Sequence, residues 1–386
     1  MNDDEYGVRV LRSLDVAPPP ASRVDLVRAM GSGRQRARRR RTVSIGAAAA
    51  VLVASAGTGA ALALTAPAAK PKPELPPEPA VPLACTVGTL PMGSAKSAEV
   101  RGGDPSGAWL VGTTEPNYGG RSFVLVWRDG KLIASVPPGP GQKPFMSDIN
   151  ASGVAVGAND SSTVPYVYRD GKVNRLRGTG DAVAINNAGV IAGTRIENAR
   201  EVPQRWSSPD AEPEPMALPA GAAEAKATDI DEDGTITVVA DEMRENQQAY
   251  LWYADGTVRL ITPPPGDNGA KTWFWPGKFR SGWIYGSVSQ QVAGSEGPNG
   301  GQRTTASYRY DPRTGTFEKL PGELRSPLTF HIGRKLYAFP APQGSAEDYF
   351  VITFVSDDAR VAAGGSTSNR ANPDYQGRPL IWRCRS

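Results

Sequence analysis

One histidine, His331, and two cysteines, Cys85 and Cys384, are all that 386 residues contain of those two types. A zinc site built from several His and Cys ligands is therefore excluded. Any Ser-His-Asp or Cys-His mechanism has to use His331. It sits in Thr329-Phe330-His331-Ile332-Gly333, with no nucleophile motif beside it. Gly-x-Ser-x-Gly, His-Glu-x-x-His and a phosphate-cradling glycine loop are all missing. His331 therefore reads as structural, and no catalytic, cofactor or metal residue is assigned. Carboxylate-pair chemistry of the glycosidase kind needs no histidine and is the enzymatic alternative, because spatial separation alone decides it.

An excess of basic charge is missing outside the first 41 residues. Those residues hold ten arginines against five acids, a net +5, while the whole chain is +4. Everything after residue 41 thus sums to −1. The basic isoelectric point belongs to the tail, so nucleic acid is not the expected partner of the main domain. Ser22-Arg23-Val24-Asp25 resembles a capping box, which predicts a short helix over 24–30. From Thr42 to Ala69 charge is missing altogether. Residues 43–65 are long enough for a membrane helix, which takes about 20 apolar residues. The arginines at 34–41 directly precede this stretch and predict a cytoplasmic N-terminus. A cleaved signal peptide is the rival reading, with Ala61-Leu62-Ala63 as its site. The C-terminal bulk is exported in either case. A proline-rich segment follows, interleaved with Lys70, Lys72, Glu74 and Glu78, and predicts a semi-rigid spacer. The expected organisation is a cytoplasmic basic tail (1–41), a transmembrane helix (42–66), a linker (67–83) and an extracellular domain (84–386).

That last region repeats. Asp148-Ile149-Asn150-Ala151-Ser152-Gly153-Val154-Ala155-Val156-Gly157 is followed by Pro165-Tyr166-Val167-Tyr168, then Asp170-Gly171, then Val173 to Leu176. Asn at the first position of a four-residue turn with Gly at the fourth favours type I, and Asp-Gly between apolar alternations marks a hairpin. Similar sets begin at Asp104, Asn186, Asp231, Ser281 and Asp357. Their starts lie about 36 to 51 residues apart, except across the unclear stretch 328–354, and this brackets the period of a four-stranded propeller blade. One such unit cannot bury its own apolar face, so the copies must stack. The expected fold is all-β: a propeller of seven blades, or of six if 328–354 is an insertion and not a degenerate blade.

The strand-turn-strand elements and the Ala249-Tyr250-Leu251-Trp252 segment resemble the HAF-type extracellular repeat family of bacterial surface proteins, over roughly residues 100 to 386. No copy carries His-Ala-Phe itself. The resemblance implies a propeller-like surface module and no catalytic residue.

Particular residues can be weighed against this frame. Trp127, Trp206, Trp252 and Trp382 recur at one strand position and read as inter-blade core. Trp273, Trp275 and Trp283 break that register; with Phe274 and Phe279 they form a local aromatic cluster and a possible ligand surface. The acids and amides Asp104, Asn150, Asn186, Asp231 and Asp357 share a register with a downstream glycine, which argues for turn chemistry. Asp229-x-Asp231-x-Asp233-Gly234 matches the opening of a calcium loop, but position twelve is Ala240 where a bidentate Glu belongs, so a repeat turn explains it. The final copy stops after its second strand, at Trp382. Thr86 to Pro91 has the shape of the missing strand and is expected to complete that blade beside Leu380 to Arg383. Cys85 and Cys384 then fall where the connecting turn would be, which predicts a disulfide. The expected function is an anchored binding or scaffolding module for an extracellular ligand such as a glycan, a peptide or a cell-wall fragment. A surface hydrolase or lyase and a transmembrane sensor are the alternatives.

Overall fold

The computed structural model describes residues 77–114, 122–242, 246–292, 302–322, 324, 326–342, 350–366 and 377–385. The basic tail, the apolar span and most of the linker lie outside these residues. Among the described residues no helix is long and apolar enough to cross a membrane. The one helical turn among them is a 3₁₀ turn at Asp267–Gly269.

Six four-stranded antiparallel sheets follow one another along the chain. Blade one runs through Ala98–Gly103, Trp109–Thr114, Val124–Arg128 and Lys131–Val136. Blades two to five repeat this order, and each innermost strand precedes the turn that opens the sequence repeat, at Asn150, Asn186, Asp231 and Ser281. Second strands are the most buried in several blades: Ile236–Ala240 of blade four has no exposed residue. Outermost strands such as Lys131–Val136 alternate exposed and half-buried. Strands covered on both sides read as continuous apolar runs, while strands with one wet face alternate.

The apolar core is divided into seams between neighbouring sheets. Val111, Val124 and Val126 of blade one pack with Met146, Ile149 and Tyr166 of blade two. Val156 and Val167 of blade two pack with Ile191 and Trp206 of blade three, and the pattern continues round the ring. Trp127, Trp206 and Trp382 are 0% exposed. Each indole N–H donates to a backbone carbonyl, of Pro91, Arg177 and Pro340 respectively, so no polar atom is orphaned by the burial. These tryptophans are inter-blade core, as their register predicted.

Blade six is assembled from both ends of the domain. Its inner three strands are Phe350–Val355, Val361–Ser366 and Pro379–Arg385. Its outer strand is Ala84–Thr89, antiparallel to the last, with Val87 opposite Trp382 and Cys85 opposite Cys384. The two cysteines form a disulfide across 299 residues. Cys384 stands where blade one has the turn residue Asp129. Its N–H reaches the carbonyl of Arg360 as that of Asp129 reaches Ala108. A covalent link thus replaces the hairpin turn, as the truncated last copy predicted.

The seven-blade expectation is corrected to six. Thr329–Ile332 and Lys335–Ala338 pair only with each other. Pro340 and Pro342 follow at once and have no N–H to extend a ladder. Phe350–Val355, the other strand considered for a seventh blade, is the inner strand of blade six. The hairpin packs Ile332 and Phe339 against Phe350 and Trp382 of blade six. Arg334 at its tip is ion-paired to Glu318 of blade five, so the hairpin is wedged between those two blades.

Candidate site in the axial channel

The innermost strands of all six blades line a cavity of about 570 Å³, blade three through Ile185, with further lining from the second and third strands of blade five and from residues around the hairpin. Five of these strands carry a β-bulge at nearly the same level. Arg101, Ser147, Thr228, the pair Gly277 and Lys278, and Thr353 each fall between paired neighbours and have no partner of their own. A bulge re-aims side chains at the point where it interrupts the ladder. It also explains the glycine that closes the repeat motif. Beside the bulge, the inner strand's carbonyl approaches so closely that a Cβ on Gly157 would lie 1.9 Å from the oxygen of Phe145. On Gly364 it would lie 1.9 Å from that of Val351. The final glycine of the motif is therefore a footprint of the channel.

Lys278, aimed inward by the largest bulge, crosses from blade five to Asp229 of blade four, Nζ to Oδ1 3.0 Å. The other Asp229 oxygen accepts the N–H of Phe279 at 2.6 Å. Asp148 of blade two lines the same cavity and feels the same ammonium, and its Oδ2 accepts the N–H of Ile185 of blade three at 3.0 Å. Burial pushes the Asp148 carboxyl up to about 7; Lys278 opposes the rise and Asp229 reinforces it. Burial alone lowers the Lys278 pKa, but Asp229 and Asp148 outweigh it and hold the lysine above its ordinary value. The result is a charged cluster from blades two, four and five, in which Lys278 is ion-paired to Asp229 and acts on Asp148 through space. One member, Asp148, changes charge near neutral pH.

Towards the turn end of the channel the walls are aromatic, and Arg280 stacks on Tyr285 at 4.1 Å while donating to the His331 carbonyl. His331 is buried, and its Nε2 lies 2.9 Å from the Pro321 carbonyl. A carbonyl only accepts, so this nitrogen carries the proton. Burial and Arg280 lower the pKa of His331 against the help of Pro321, so the ring stays neutral. The histidine lines the cavity but is structurally committed.

The three non-register tryptophans separate. Trp275 lines the channel. Trp273 is buried beside a different cleft, with Arg303 4.2 Å and Lys271 5.5 Å over its ring. Trp283 lies under Arg309, 4.0 Å away. Phe274 belongs to the seam of blades four and five, and Phe279 packs against that seam at the channel wall. The recurring amides do serve turns: Asn150 Oδ1 accepts from Ser152 and Val154, and Asp104 from Ser106 and Trp109. They also clasp blades, since Asn150 Nδ2 donates to Asn186 O and Asn186 Nδ2 to Asp231 O. In blade six this register is held by Ser356, whose Oγ accepts from Val361, and not by Asp357. The calcium-like triplet diverges, with Asp229 on Lys278 and Asp233 capping the Thr235 N–H.

Asp148, Asp229 and Lys278 were not singled out from sequence as a site. The available signal was an acid two residues before the turn amide or acid, in Asp148-Ile149-Asn150 and Asp229-Ile230-Asp231, where the next copy has Ala184. A charge in an otherwise buried inner strand marks a strand facing something other than apolar core.

The arrangement defines the chain as a six-bladed β-propeller with a polar cluster at its axis. Several solved propellers are similar in fold. The β-propeller domain of the trilobed protease from Pyrococcus furiosus is 11% identical, with 75% of this chain and 96% of that one covered and a TM-score of 0.46. A gluconolactonase from Xanthomonas campestris is 14% identical over 81% and 99%, with a TM-score of 0.38. TolB from Acinetobacter baumannii is 12% identical over 77% and 65%, with a TM-score of 0.36. No family model and no curated protein sequence matches the chain.

Proposed function

We propose that the protein is a membrane-anchored extracellular module whose β-propeller binds a ligand in the axial channel. The observation that carries this reading is the cluster of Asp148 with the Lys278–Asp229 ion pair in a cavity of about 570 Å³, within the size range of small-molecule sites. Charges are costly to place inside a domain, and a propeller ring closes as well on apolar filling. The exported location rests on the arginine run before an uncharged stretch and agrees with the use of a disulfide. The likeness to HAF-type surface repeats points the same way. Glycans, peptides and cell-wall fragments are the ligand classes such a location offers. A carboxylate-dependent hydrolase or lyase is the second reading, favoured by the near-neutral pKa of Asp148 beside a second carboxylate.

A reporter fused after Ser386 is expected to be active outside the cell, and the protein to partition with membranes; cytosolic reporter activity refutes the location. Calorimetric screening of the purified protein against those ligand classes, with Lys278→Met alongside, tests the site. Binding that Lys278→Met leaves unchanged places the ligand elsewhere.

A further inference from the structure

Resting on the reading of the channel as a binding site, we infer that its ligand is an organic cation, an ammonium or guanidinium on an apolar body, seated against Asp148. Lining residues of both signs are present, but they are not equally available. Each base is already engaged by the protein: Arg101 by Glu99, Lys278 by Asp229, and Arg280 by the Tyr285 ring and the His331 carbonyl. An anion entering the channel meets cations that have partners. Among the acids, Asp229 is taken by Lys278 and Phe279, Glu232 accepts from Asn187, and Asp357 accepts from Ser281. Asp148 differs. The donors that reach it are backbone N–H groups, and among the described residues no Lys or Arg is within ion-pair distance of it. It is the carboxylate in the cavity with charge to spare.

The walls fit the same chemistry. Trp275, Phe279, Tyr308, Phe330 and Phe354 all line the cavity and are only partly buried. Ring faces carry negative potential and attract cations, most strongly where water is displaced. An acid at the base of an aromatic-walled cavity holds an organic cation by its charge and its body together. The charged groups around Asp148 are Lys278 on Thr272–Arg280, Asp229 on Ala225–Ile230 and Arg101 with Glu99 on Ala98–Gly103. Blade three contributes the Ile185 N–H. Of these, Asp148 is the group that titrates near neutral pH, so cation affinity should rise as pH goes from 6 to 8.

The test is isothermal titration of the full-length protein in detergent with benzyltrimethylammonium and agmatine, against benzoate and benzyl alcohol as comparators of the same size. Saturable binding of the two cations and not of the comparators is expected, weakened about tenfold or more by Asp148→Asn. Should Asp148→Asn not fold, Lys278→Met provides a second arm: it removes the competing ammonium and should tighten cation binding severalfold. Binding of benzoate or benzyl alcohol that responds to Lys278→Met, without binding of the cations, overturns the cation assignment and leaves the channel reading standing. If no cation, comparator, glycan or peptide binding responds to either channel variant, both fall.

Discussion

The ring contains two kinds of interior. Seams between blades are apolar and largely buried, and their tryptophans are polar-satisfied: Trp206 is 0% exposed and its one N–H is bonded to Arg177 O. The axial channel is the reverse, with charges held by partners from other blades and Asp148 carrying a raised pKa. The seams account for why the chain closes into a propeller. The channel adds nothing that closure requires, and burying ion pairs is weak evidence for stability. On the proposed reading, a difference of that kind within one domain separates residues that serve folding from residues that serve a ligand. Seam substitutions should therefore cost stability, while channel substitutions should cost little or even stabilise.

The largest effect is expected at the seam closed by the two ends of the chain. Removing the disulfide with Cys85→Ser frees a loop of about 300 residues in the unfolded chain, about 5–6 kcal/mol by chain entropy as an upper figure. The melting temperature should fall clearly. Reductant should do the same to the parent and add nothing to the variant. Peptide mapping without reductant should find Cys85 joined to Cys384; free thiols at both positions would sink the closure scheme. Next comes Trp206→Ala, with a cost of about 3–5 kcal/mol from lost burial and the cavity left behind. Denaturant unfolding measures it, and a loss below about 1 kcal/mol contradicts the seam role. Gly157→Ala probes the boundary between the two interiors. Its Cβ meets the carbonyl of Phe145, so the bulge must move, at about 1–3 kcal/mol. Because the neighbouring Ser147 and Asp148 move with the bulge, this variant alone should lose both stability and whatever binding the channel supports.

Seams and closure were legible in the sequence because they rest on local patterns that recur. The Asn- or Asp-x-x-Gly turns, the Asp-Gly hairpins and the register of Trp127, Trp206, Trp252 and Trp382 each recur in several of the six blades. The disulfide followed from what the last copy lacked. The blade count was misjudged because Arg334 to Phe339 and Tyr349 to Phe354 read as two strands of one degenerate blade, and nothing local says that the first pairs back on Thr329–Ile332 while the second belongs to blade six. The channel was illegible for a different reason. Asp148, Asp229 and Lys278 lie 49 to 130 residues apart and meet only because the ring brings blades two, four and five to one axis. Lys278 in particular owes its direction to a bulge, which depends on pairing. The aromatic cluster at 273–283 was visible as a cluster, but Trp273 and Trp275, on one face of the same strand, lie at different levels along it, one beside the second cleft and the other in the channel.

The smallest effect carries the opposite sign and sharpens the comparison most. Asp148 has a pKa of about 7 in the folded protein and about 3.9 when unfolded. As pH rises from 4 to 7, the unfolded chain therefore gives up this proton first, and the folded state retains it. Stability contributed by this group is full below pH 4, is lost as pH rises to 7, and is level above that. Asp181 and Asp231, each pushed up to about 6 chiefly by burial, slope the same way, so the parent alone does not isolate Asp148. Asp148→Asn does. It keeps the side chain's shape and the acceptor for the Ile185 N–H, and it leaves Lys278 paired to Asp229. The variant should match the parent near pH 4 and exceed it by about 1–2 kcal/mol at pH 8. The full three-unit shift would correspond to about 4 kcal/mol, reduced because Asp148 is only partly buried and water in the channel screens its charge. Urea unfolding of both proteins at pH 4, 6 and 8 measures the difference. A variant less stable than the parent at pH 8 means that Asp148 helps to hold the ring together, and the division between seams for folding and channel for binding fails at its central residue.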